Sequence, residues 1–178
     1  MGGKGFSYIA PILKDLLSLY YLAMDNKSFT NLQIAKILRN VAAAYQIKDA
    51  EKHRFEILAY QRAADSVEHA TSEIKDLWDQ GKLEEVPGIG RGIAGVLGEL
   101  FKNGRSEHID EIIRGIPPEA FKLMELPGIG IKTAMKLINE NPEEFKTKLA
   151  EVEVREKREK RHLLPYAEKI AGELIDYM

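Results

Sequence analysis

From Thr30 onward the apolar positions fall at steps of three and four. Ile34, Ile37, Leu38, Val41 and Tyr45 form one stripe, and Phe55, Leu58, Ala59, Ala63 and Val67 form a second. Residues at that spacing share one face of a helix, so two amphipathic helices are expected. Thr30, with Gln33 three residues later, has the form of a capping box and marks where the first helix should begin. A third, shorter helix is expected over residues 72–80, with Gly81 placed to take the left-handed conformation that ends it.

Between residues 81 and 141 the texture changes. Short helical pieces alternate with Gly and Pro punctuation: Val86-Pro87-Gly88-Ile89-Gly90, Asn103-Gly104, Gly115-Ile116-Pro117-Pro118, Leu126-Pro127-Gly128-Ile129-Gly130 and Asn141-Pro142. No stretch alternates with a period of two, so the expected fold is all-α, a helical bundle closed by C-terminal helices. The run 151–161 alternates charge sign and is expected to solvate a helix rather than bind phosphate. Leu163, Ala167, Ile170, Ala171, Leu174, Ile175 and Met178 then make an amphipathic stripe that must bury against something. At the other end, residues 1–23 are rich in Ile and Leu, but Lys14 and Asp15 interrupt them short of membrane-spanning length. They read as an amphipathic extension and not as a leader, since no small-residue cleavage site follows; Met24 is an alternative start.

Composition narrows the chemistry. The chain has no cysteine, which excludes disulfides, thiolate zinc sites and thiol catalysis, and fits a reducing cytoplasm. His53, His69, His108 and His162 are too far apart to form the close ligand pairs of a metal motif. A net charge of −2 makes no general case for nucleic acid, so any such case must rest on local geometry.

That geometry is suggested by an internal repeat. Pro87 and Pro127 stand 40 residues apart, each within an apolar-Pro-Gly-Ile-Gly segment. Leu83 and Leu123 precede the two segments at the same distance, and Ala94 and Ala134 follow at the same distance. Each copy is expected to be a short helix (82–86; 120–126), a tight turn and a second helix from near Arg91 or Ile131: two helix-hairpin-helix motifs. Pro fixes φ at the start of the turn, and Gly serves where φ is positive or where backbone must approach a ligand. Amide N–H groups at such a turn, beside the positive end of a helix dipole, suit a phosphate oxygen and read no base. The candidate set is Gly88, Ile89, Gly90, Arg91 and Gly92 in the first copy and Gly128, Ile129, Gly130, Lys132 and Lys136 in the second. Lys102 and Arg105 can add charge at the far end of the first unit.

Two competing readings bear on the same residues. Gly90-Arg91-Gly92-Ile93-Ala94-Gly95 matches the dinucleotide-binding pattern, but that pattern needs a preceding strand where this sequence reads as helix. Alternatively, both turns simply reverse the chain in a helical protein-interaction module.

The helix containing Ala59-Tyr60-Gln61-Arg62-Ala63-Ala64 resembles the Ala-Tyr-x-x-Ala-Ala helix of X-family DNA polymerases, and the order of the following segments agrees with bacterial and archaeal members. The resemblance implies a lyase-like helical domain over 24–105, a second hairpin subdomain over 106–141, and a charged linker with a C-terminal helix over 142–178. It implies DNA, gapped or duplex, as partner, held without sequence preference as in a repair polymerase, with Tyr60 in the contacting set. It also implies a monovalent cation, K+ or Na+, on the carbonyls of Glu84, Val86 and Ile89 and of Met124, Leu126 and Ile129; neither zinc nor a nucleotide cofactor is expected, and no membrane. The family's imine-forming lysine falls on Val96, which cannot form an imine. Glu56 and Gly92 stand where supporting lysines occur, so abasic-site lyase activity would need Lys82 or Lys102 as a substitute. The chain has no Asp-x-Asp pair for a two-metal polymerase centre, so a catalytic palm would act in trans or lie in a longer polymerase.

Overall fold

The structure, a computed structural model, describes residues 29–176, with side-chain placements up to Arg158 and at Arg161. The expected extension over 1–23, and the side chains of the stripe beginning at Leu163, lie outside the described residues. Among the described residues the regular structure is helical: α1 (Asn31–Asp49), α2 (Arg54–Glu68), α3 (Ile74–Asp79), a 3-10 turn (Leu83–Glu85), α4 (Arg91–Asn103), α5 (Glu107–Ile113), α6 (Pro118–Leu123), α7 (Ile131–Glu140) and α8 (Pro142–Asp176). The all-α expectation holds.

The local signals act where the sequence places them. Gln33 N–H donates to the Thr30 hydroxyl at 3.3 Å and Thr30 N–H donates to Gln33 Oε1 at 3.0 Å, which closes the capping box of α1. Asp49 Oδ1 accepts the N–H groups of Glu51 and Lys52 and ends α1; these bonds hold the Asp49 carboxyl below its ordinary value. Gly81 takes φ +71° and its neighbour Lys82 donates to the Leu77 carbonyl, so the left-handed stop after α3 is present. Gly104, at φ +69°, ends α4 in the same way.

The described chain divides into two compact units. The first combines residues up to 42 with 54–112, and buries Ile34, Leu38, Val41, Ala63, Val67, Ile74 and Leu97. Asn31 ties its start to the α3 loop by accepting the Ile74 N–H and donating to the Ser72 carbonyl. Arg39 pairs with Asp65 at 3.0 Å and with Glu68, linking α1 to α2. The second unit combines residues 43–53 with those from 113 onward, around Ala43, Ala120, Leu123, Ile131, Ala134 and Leu137. Its helices α6, α7 and α8 pack mutually. The division falls at 112/113 rather than at 105/106, because Ser106 is buried and its hydroxyl donates to Glu99 of α4 at 2.7 Å. That bond keeps the start of α5 with the first unit.

The segment that the family resemblance makes a charged linker is helix, as the alternating charge over 151–161 leads one to expect. Residues 142–161 contain no glycine and no proline after Pro142, and pairs such as Lys146–Glu143 and Lys148–Glu151 sit at helical spacing. Pro142 starts α8 at a position that needs no amide donor, and Asn141, at φ −138° and ψ 72°, breaks it from α7.

Candidate nucleic-acid interface

The sequence repeat is a backbone repeat. Gly88 and Gly128 both have φ +81°, a region that side chains rarely enter. Ile89 N–H donates to the Val86 carbonyl at 3.0 Å, and Ile129 N–H to the Leu126 carbonyl at 3.2 Å. Gly90 (φ −85°, ψ 175°) and Gly130 (φ −88°, ψ 171°) are then the caps of α4 and α7. Their carbonyls accept from Ala94 and Ala134, which explains the alanine at that spacing in both copies.

The two glycines of each turn serve different ends. Gly88 and Gly128 are required by positive φ. Gly90 and Gly130 are extended, a conformation open to any residue, and a Cβ on either would meet nothing within 4 Å. Gly92 is equally open. All are exposed. The first amides of any helix have no partner within it, and a glycine cap has no side chain to cover them, so both turns show bare donors to solvent at the head of a helix.

The arms before the turns differ from expectation. The expected helix over 82–86 is a single 3-10 turn, and the arm over 120–126 starts two residues early, at Pro118, because Pro117 and Pro118 set the first helical turn. The central isoleucines face inward: Ile89 is buried and Ile129 packs partly on the second core. Both therefore bear on the turns through their backbones.

Arg91, next to the first cap on α4, and Lys132, two residues after the second cap on α7, are exposed. Lys136 lies a turn further along α7, 3.9 Å from Glu140. Arg105 pairs with Asp110 at 3.0 Å, beyond the far end of the 13-residue α4. A helix of that length puts it roughly 20 Å from the first turn, so it is not gathered there. Tyr60 is only 5% exposed; its ring belongs to the core of the first unit and not to a contact surface. Val96 is buried too, while Lys82 and Lys102 are exposed.

The carbonyls of Val86 and Leu126 each accept one amide and keep a second lone pair. Among the described residues no cluster of three His, Asp or Glu side chains could hold a metal, and no helix is long and apolar enough to cross a membrane.

Sequence reasoning missed two supports. The backbone of α2 at Arg62 and Ala63 backs the first turn, since a Cβ on Gly88 would lie 3.2 Å from it. Arg155 reaches the second turn by donating to the Glu125 carbonyl at 3.1 Å. The paired alanines at 63 and 64 were a signal for the first, because a small side chain permits close approach. Nothing in the sequence signals the second.

Residues 29–106, which contain the first turn, match the family described as a helix-hairpin-helix domain. This part of the chain is similar to a helix-hairpin-helix domain, and a second likeness extends beyond it. The chain is similar to the DNA polymerase/3'-5' exonuclease PolX of Bacillus subtilis (strain 168), 27% identical over 107 residues, which is 60% of this chain and 18% of that protein. Together these findings support the resemblance to the N-terminal helix-hairpin-helix region of an X-family polymerase, of whose full length the matched region is under a fifth.

Proposed function

We propose that this chain binds DNA, gapped or duplex, through backbone phosphates and without sequence preference, as the DNA-holding part of an X-family repair polymerase. The observation that carries the reading is the pair of turns with the same backbone, each placing an exposed glycine, whose missing Cβ faces open space, at the head of a helix. A phosphate oxygen needs donors of this kind and room to approach them. Arg91 and Lys132 add charge beside the caps. The carbonyls of Glu84, Val86 and Ile89, and of Met124, Leu126 and Ile129, would hold a monovalent cation bridging each turn to a phosphate. Polymerase chemistry would come from a palm domain in trans or in a longer polymerase.

The binding is weak and its dependence on salt is shallow. Residues 82–136 carry 8 basic and 8 acidic side chains, so few counterions are released. The test is fluorescence anisotropy with labelled gapped duplexes of two unrelated sequences at low salt. Equal affinity for both is expected, with a loss of at least about tenfold in Gly90→Val/Gly130→Val, since each turn would lose roughly one charge-assisted bond. Those substitutions enter open space at ordinary φ, so the fold survives them. Absence of binding, or an unchanged affinity in the double variant, would overturn the proposal.

A further inference from the structure

The second turn lacks the backing of the first. Gly88 lies against the α2 backbone, whereas a Cβ on Gly128 would meet nothing within 4 Å. From outside, the second turn is reached by Arg155 of α8, whose Nη1 donates to the Glu125 carbonyl at 3.1 Å. Glu125 is the joint between α6 and the turn: its N–H donates back to the Lys122 carbonyl at 3.1 Å, and the next residue, Leu126, gives the carbonyl that closes the turn on Ile129. Arg155 works from a fixed base. Val152, three residues earlier on α8, is 1% exposed, and α8 packs on both α6 and α7. One member of a charged run that otherwise solvates its helix is thus committed to a main-chain carbonyl.

We infer that Arg155 is a positioning residue for the second turn: it holds the Glu125 joint, and through it the backbone over 126–130, in the form that presents the Gly130 cap to a phosphate. The inference rests on the phosphate reading above. Arg155 acts through a carbonyl, so it contributes to DNA affinity without being a phosphate contact. A charge-assisted bond to a neutral carbonyl is stronger than an ordinary one, and a turn whose positive-φ glycine has no backbone packed against it depends on it more.

The test uses the full chain. Arg155→Met is expected to weaken binding to the gapped duplex by roughly three- to tenfold, the affinity equivalent of one net hydrogen bond, and Arg155→Lys, which keeps a donor, to recover most of it. The slope of affinity against salt should not change, whereas loss of a phosphate contact lowers it by about 0.9. In a Gly130→Val background, where the turn keeps its form but the phosphate can no longer approach it, Arg155→Met should add nothing. Hydrogen exchange of the DNA-free chain supplies an independent arm: amides over 126–130 should exchange faster in Arg155→Met, with those over 86–90 unchanged. A reduced salt slope, full additivity with Gly130→Val, or unaltered exchange would overturn the inference. A wild-type chain that binds no DNA would overturn the phosphate reading instead, and exchange alone would then decide whether Arg155 holds the turn.

Discussion

The two Pro-Gly-Ile-Gly turns share a sequence and a backbone but not a support. The first is pressed against the α2 main chain; the second stands clear of such backing and is tied to α8 by one arginine. Their following helices also differ. α4 buries Ile93, Val96, Leu97 and Leu100, while α7 buries Ile131, Ala134 and Leu137, a face rotated by about one residue, or ~100°, relative to the turn. Val96 is therefore buried and its counterpart Lys136, 40 residues on, is exposed. The local residues fix the shape of such a turn, and its neighbours decide how rigidly that shape is kept.

The largest expected effect separates the two supports directly. Gly88→Ala and Gly128→Ala both force a side chain into positive φ, at roughly 1–2 kcal/mol. Gly88→Ala also drives its methyl against Arg62 and Ala63 backbone 3.2 Å away, atoms that cannot swing aside, which adds about 1–3 kcal/mol. Urea unfolding should place Gly88→Ala well below Gly128→Ala. Equal losses would mean that the contact with α2 is slack and that the comparison fails.

The next effect is confined to the first unit. Thr30→Ala removes the oxygen that accepts the Gln33 N–H and should cost about 1 kcal/mol, measured as faster hydrogen exchange at the start of α1, with amides over 126–130 unaffected. An equal response in the second turn would show that the units do not respond independently.

These expectations also show what the sequence could and could not reveal. The capping box, the Gly81 and Gly104 stops and both turns are short-range devices whose partners lie within five residues, so their geometry is written where they stand. Tyr60 misled because an aromatic residue in a recognisable motif looks the same whether its ring is a contact or a core element; only packing separates the two. The segment over 142–161 was legible as helix from its alternating charges, and Phe145, Leu149 and Val152 stand at helical spacing, but which surface they meet, that of α6 and α7, is set by packing. Arg155 was invisible because its partner is a carbonyl 30 residues away in sequence, and a carbonyl leaves no mark in composition.

A gain is expected at Gly95. It lies in the exposed face of α4, a Cβ there would meet nothing within 4 Å, and its counterpart 40 residues on is Met135. Alanine at a helix interior is worth about 0.5–1 kcal/mol over glycine, so Gly95→Ala should stabilise the first unit in denaturant titrations. If affinity for gapped DNA falls in the same variant, the open strip beyond Gly92 is part of the approach path; if it does not, the contact ends at the first turn of the helix.

The smallest effect concerns acid. Arg39 on α1 pairs with Glu68 and Asp65 on α2, the helix that backs the first turn. The hydrogen bond from Arg39 is the main cause that holds the Glu68 carboxyl below the ordinary glutamate value, against some desolvation. A carboxylate with a lowered folded value contributes stability that is complete above its unfolded value and is lost as pH falls through the lowered one. The pair is partly open to solvent, so its contribution is below about 1 kcal/mol and shrinks with salt. Wild type should therefore exceed Glu68→Gln in stability near neutral pH, and the two should converge as the carboxyl protonates. Because the pair belongs to the first unit, the same acidification should speed exchange of the Ile89 amide more in wild type than in Glu68→Gln, and leave Ile129 equal in both. A difference between the variants that persists at low pH would show that Glu68 acts through packing and not through its charge.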